Sequence, residues 1–89
     1  MRHQYEEAQL KLEEARSEFI TIGNRFGAAQ CLGSLGDILQ MQDQYEEAQV
    51  KLEEALSEFN DLGFQAGADW CQEKLDGIAL ARNQQEGRA

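Results

Sequence analysis

The sequence predicts an all-α fold of antiparallel helix-turn-helix repeats, four helices in all, with the last acting as a capping helix. Three observations carry this expectation. Residues 4–19, QYEEAQLKLEEARSEF, return as residues 44–59, QYEEAQVKLEEALSEF, with 14 of 16 positions unchanged at an offset of 40. Apolar residues recur within each copy at steps of three and four, which places them on one stripe of an α-helix. Proline is absent, while Glu, Ala, Leu and Gln, all strong helix formers, are abundant.

The first helix is expected over residues 4–21, its stripe formed by Tyr5, Ala8, Leu12, Ala15 and Phe19. Glu7 and Lys11 stand in the favourable i,i+4 order, as do Glu47 and Lys51 in the second copy. His3 occupies the capping position, so this helix start is expected to fray. Gly23 follows the stripe, where a left-handed residue ends a helix. A second helix over 25–41 carries Ala28, Cys31, Leu32, Leu35, Ile38 and Leu39. The third, over 44–61, repeats the first, with Asp43 as N-cap and Glu46 reaching back to complete a capping box. Gly63 closes it.

The fourth helix, over 65–82, is informative through what it keeps. Gly67, Ala68, Cys71, Leu75 and Ile78 match Gly27, Ala28, Cys31, Leu35 and Ile38. The adjoining face is rewritten, with Gln72 for Leu32, Asp76 for Gly36 and Ala79 for Leu39. One face therefore packs back and the other meets water, as the end of a helical stack requires. Residues 1–83 read as one domain, and 84–89, without apolar pattern, as a loose tail.

Seventeen acidic residues against eight basic ones give a formal charge of −9 over 89 residues. Such a surface repels phosphate backbones and anionic lipid, which argues against nucleic-acid or polybasic membrane binding. No apolar run approaches the roughly 20 residues of a membrane span, and no signal peptide precedes the first helix. Cys31 and Cys71, again 40 apart, are expected to be small, buried, reduced thiols rather than a disulfide. The chain is expected to be cytoplasmic.

Catalytic chemistry finds no foothold. His3 is the one histidine and stands near a terminus, with no ligand set around it. Glu13-Glu14 and Glu53-Glu54 point about 100° apart on a helix, so neither pair converges on a substrate. Gly23, Gly27, Gly33 and Gly36 lack the strand and the Lys-Ser/Thr pair of a phosphate loop. The aspartates lack calcium-loop spacing. No enzyme activity, cofactor or metal is expected.

Leu32, Leu35, Gly36 and Leu39, followed by Tyr45, Ala48, Leu52 and Ala55, resemble the tetratricopeptide repeat at its large apolar–x2–Leu–Gly–x2–large apolar signature and its small-residue spacings. Residues 26–62 make one complete unit, so the chain reads as a tetratricopeptide-like α-solenoid fragment. Leucines replace the family's Trp and Tyr, Asn60 stands where a Pro usually closes the unit, and the period is 40 instead of about 34. The chain is similar to the 40-residue variant found in tandem arrays, often in fungal proteins and sometimes behind a nucleotide-binding regulatory domain.

The resemblance implies a concave groove that holds a protein or peptide. Its residues by position are Gln30, Ser34, Asp37 and Met41 on the second helix and Trp70, Glu73 and Lys74 on the fourth, with Gly33, Gln40 and Gly77 between them. The residues that clamp a peptide carboxylate in chaperone-binding members are replaced by Gly33 and Asp37. An acidic C-terminal tail is therefore not the expected ligand. Trp70, opposite Gln30 in the first copy, reads either as an interface anchor or as a cover for the end of the core.

The first helix keeps its full stripe together with Leu10 and Ile20, a surface that an earlier helix would cover in a longer array. The chain is expected either to be part of such an array or to cover this surface by self-association, as a symmetric dimer. The function expected is a non-enzymatic protein-protein interaction module or scaffold. The alternative is a structural or sensor segment of a larger nucleotide-binding signalling protein of the NACHT or NB-ARC type.

Overall fold

The computed structural model describes residues 2–86, with side chains placed for residues 4–84. Four α-helices fill it: α1 (Arg2–Thr21), α2 (Arg25–Met41), α3 (Tyr45–Leu62) and α4 (Gln65–Glu86). The all-α reading holds. Four boundaries differ from expectation, those of α3 by one residue at each end. α1 begins at Arg2, so His3 lies inside the helix instead of capping it. α4 continues through residues 84–86, because Asn83-Gln84-Gln85-Glu86 contains no breaker and a helix needs no apolar stripe to run on by one turn. Residues 87–89 of the expected tail lie outside the described residues.

Three turns join the helices by one device. Asn24 N–H donates to the Phe19 carbonyl, Gln44 N–H to that of Leu39, and Phe64 N–H to that of Phe59, at 2.8–2.9 Å. These 6→1 bonds are those of a Schellman turn, which needs a left-handed residue just before the donor. Gly23 (φ 77°) and Gly63 (φ 74°) supply it as expected. In the middle turn the left-handed residue is Asp43, with φ 61°. The expected capping box at Asp43 therefore does not form. Gln44 is the N-cap residue and makes no side-chain cap bond, while the Asp43 carboxylate accepts from the Tyr45 hydroxyl at 2.9 Å. α2 has the orthodox cap, Asn24 Oδ1 accepting from Gly27 N–H at 2.9 Å.

Contacts define the packing. Gly27 of α2 lies against the Phe19 ring of α1, and Gly67 of α4 lies against the Phe59 ring of α3. Gln42 Nε2 donates to Gln9 Oε1 at 3.0 Å, and Arg82 Nη1 donates to Gln49 Oε1 at 2.9 Å. Each contact returns 40 residues later, and within each pair the two numbers run in opposite directions. α1 with α2 and α3 with α4 are thus antiparallel pairs packed alike. α2 and α3 meet where Gly36 approaches Leu52 and where Arg25 donates to Glu58 at 3.0 Å, again antiparallel.

The core lies along the α2–α3–α4 seam. Ala29, Leu32 and Leu39 of α2 join Ala48, Leu52, Ala55 and Phe59 of α3 and Ala68, Cys71 and Ile78 of α4 in one buried cluster. The extents of 47 × 32 × 15 Å make the molecule a thin slab, so a helix is well covered only where it has a neighbour on both sides. α3 has α2 and α4. α1 has α2 alone, and its Ala8, Leu12, Ala15 and Phe19 are only half-buried, whereas Ala48, Leu52 and Ala55 have 0% exposure and Phe59 has 4%. Identical letters reach different burial because their neighbours differ.

Leu10 and Ile20 are exposed, as expected of an uncovered surface. Val50 and Asn60 hold their positions in the fully flanked α3 and are exposed as well. Exposure at these two positions therefore does not depend on a missing neighbour, and Ile20 also lines a cleft with Ala28, Ala29 and Leu32 of α2. The open side of α1 is marked by Ala8 and Leu12. The expected Glu7–Lys11 and Glu47–Lys51 pairs do not close. The ion pairs among the described side chains are Arg25 with Glu58 and Asp61, and Lys74 with Asp37. Long exposed side chains gain little from pairing and stay hydrated.

Candidate functional site

α2 and α4 lie side by side because both are held by α3. Their contacts follow a constant register. A Cβ on Gly33 would touch Trp70 Cζ3 at 3.0 Å, Lys74 Nζ lies 3.0 Å from Asp37 Oδ1, and a Cβ on Gly77 would lie 3.6 Å from Gln40 Nε2. The partner is 37 residues on each time, so α2 and α4 run in the same direction and present one continuous face. Gln30 and Gly67, also 37 apart, both line the cleft at one end of it.

That cleft has a volume of about 300 Å³. Its walls are Gln30, Gly33 and Ser34 from α2, Ala66, Gly67 and Trp70 from α4, and the rings of Phe59 and Phe64. Gly33 lets the edge of the indole's six-membered ring approach the α2 backbone. Trp70 is half-buried and packs against the buried cluster. It covers the core with one part of its surface and lines the cleft with another. Lys74 Nζ sits 5.5 Å from the indole centroid while pairing with Asp37, so the charge of Asp37 is partnered within this face.

Five of the seven expected groove residues are therefore brought together: Gln30, Ser34, Asp37, Trp70 and Lys74. Met41, at the last position of α2, and Glu73 are exposed and make no hydrogen bond or ion pair with them among the described residues. The aromatic wall was not anticipated. Phe64 stacks edge-on with Phe26 at 4.9 Å and lies 5.6 Å from Phe59. Its signal was the position directly after Gly63, where a Schellman turn commonly sets an apolar side chain against the helix it closes.

Among the described residues no group of three His, Cys, Asp or Glu side chains is placed to hold a metal. Cys31 and Cys71 are free and buried. Burial pushes both thiols up from their ordinary value, and for Cys31 the nearby Arg16 charge opposes part of that rise. No described helix is long and apolar enough to cross a membrane. No protein-family model, curated protein or solved structure matches the chain.

Proposed function

We propose that this chain is a non-catalytic protein-interaction module of tetratricopeptide-like helical hairpins that holds a peptide along the α2–α4 face. The observation that carries this is the aromatic cleft. Trp70, Phe59 and Phe64 surround a space of about 300 Å³, enough for one bulky apolar side chain, with Gln30 and Ser34 free at its edge to meet a peptide backbone. Asp69 and Glu73 flank it on α4 and the chain carries −9 overall. The favoured ligand has an aromatic or branched aliphatic anchor with basic neighbours.

Two buried reduced thiols fit a reducing compartment, and we place the module in the cytoplasm. A stacked segment of a larger nucleotide-driven signalling protein is the second reading, favoured by the half-covered stripe of α1. A nucleotide-hydrolysing domain in the same polypeptide would select it.

Random-peptide display on the intact chain tests the cleft. Enriched sequences are expected to share an apolar anchor with basic flanks, to shift the emission of Trp70, the one tryptophan in the chain, and to lose binding with Trp70→Ala or Asp37→Lys. Peptides that bind both variants unchanged would place the interaction elsewhere.

A further inference from the structure

The near-identity of α1 and α3 makes α3 an internal template for what α1 lacks. On α3 the stripe is covered from two sides. α4 covers one, with Gly67 against Phe59, and α2 covers α1 in the same way, with Gly27 against Phe19. The second cover of α3 is the seam of α2 formed by Ala29, Leu32, Gly36 and Leu39, where Gly36 meets Leu52 and the Ala48 carbonyl. α1 has no counterpart of that seam. Its equivalent positions, Ala8 and Leu12, are left half-buried.

Among the described residues no folded surface fits. Both faces of α2 are in use, against α1 and α3. On α4 the positions matching the seam are Asp69, Gln72, Asp76 and Ala79, all exposed, with Gln72 hydrogen-bonded to Asp76 at 3.0 Å. Stacking that face on another copy's α1 would bury two carboxylates against Leu12. Pairing α1 with α1 would bring together two helices that each carry five glutamates against Lys11 and Arg16 between residues 4 and 21, so like charges would meet. The α2 sequence carries only Arg25 and Asp37 and meets neither objection.

We infer that the open side of α1 docks a partner helix from outside residues 1–89, near-neutral and patterned as small apolar–x2–large apolar–x3–Gly–x2–large apolar. The glycine is required because any Cβ there would collide with Leu12, as it would with Leu52 in the template. This surface is separate from the α2–α4 cleft and does not depend on it.

The test adds a dye-labelled peptide of residues 24–42, the α2 sequence itself, to the intact chain and follows fluorescence anisotropy. Saturable binding is expected, weakened about ten-fold or more by Gly36→Val in the peptide or Ala8→Glu in the chain, and unchanged by Trp70→Ala. Circular dichroism checks that Ala8→Glu and Trp70→Ala remain folded, and the Gly36→Val peptide decides the matter if either does not. Absence of binding, or binding indifferent to Gly36→Val, would overturn the inference. So would sedimentation showing that the chain alone dimerises and that Ala8→Glu separates the dimer, since a second copy would then be the occupant. A loss of peptide binding with Trp70→Ala would also overturn it, by moving the peptide to the cleft.

Discussion

Gly36 approaches Leu52 so closely that a Cβ built on it would lie 2.6 Å from the leucine Cγ. Leu52 has no exposed surface and cannot swing aside. Gly36→Ala is expected to destabilise the fold by about 1–2 kcal/mol, overpacking exceeding the gain in helix propensity. Gly77→Ala reverses the sign. Its nearest neighbour is Gln40 Nε2 at 3.6 Å, so the exposed helix gains up to about 1 kcal/mol. Urea denaturation of the two variants measures the contrast, and a destabilised Gly77→Ala would contradict it.

Asp43 holds a left-handed backbone that glycine adopts freely. Asp43→Gly is expected to raise stability by roughly 0.5–1 kcal/mol, visible as a higher melting temperature. The same change removes the hydrogen bond that holds the Tyr45 phenol above its ordinary 10.0. NMR titration of the Tyr45 ring is expected to show a lower midpoint in the variant.

Arg16 occupies the place of Leu56 in the second copy, and its Nε is buried without a hydrogen-bond partner. Leu56 packs against the buried cluster. Replacing a poorly satisfied guanidinium by the residue its repeat partner uses is expected to stabilise the fold by about 1 kcal/mol. An Arg16→Leu variant that melts earlier than the wild type would show that Arg16 gains more from solvent than the geometry allows.

The repeat was legible because period, capping glycines and the polar rewriting of α4 are all local patterns, and each corresponds to an observed contact or exposure. Asp43 misled because an Asp before Gln-Tyr-Glu reads as an N-cap. The competing signal was the spacing of 20 between Gly23, Asp43 and Gly63, which marks the same turn three times. The groove was partly legible. Gln30, Ser34, Asp37, Trp70 and Lys74 follow from register, but the Phe59 and Phe64 wall depends on how a turn folds over the end of α4. The unequal burial of α1 and α3 was legible from helix order, since α3 lies between two helices and α1 beside α2 alone, and not from letters that barely differ.

The two thiols report on the core. Folded thiols raised above their ordinary 9.0 stay protonated where unfolded ones ionise, so they add stability below that value. The contribution is lost as pH rises through the folded pKa. Stability is therefore expected to fall above about pH 9. A thiol reagent is expected to label Cys31, at 6% exposure, before Cys71, at 0%. Cys31→Ser, Cys71→Ser flattening the alkaline limb would support this, and an unchanged limb would assign it to other groups.

Hydrogen exchange compares α1 and α3 most directly, since 14 of 16 residues are shared and intrinsic amide rates nearly cancel. With α3 flanked on both sides and α1 on one, amides of residues 48–56 are expected to exchange at least about ten-fold more slowly than those of 8–16 in the chain alone. Equal protection of the two segments would mean that the stripe of α1 is already covered, and the account of an open docking face would be wrong.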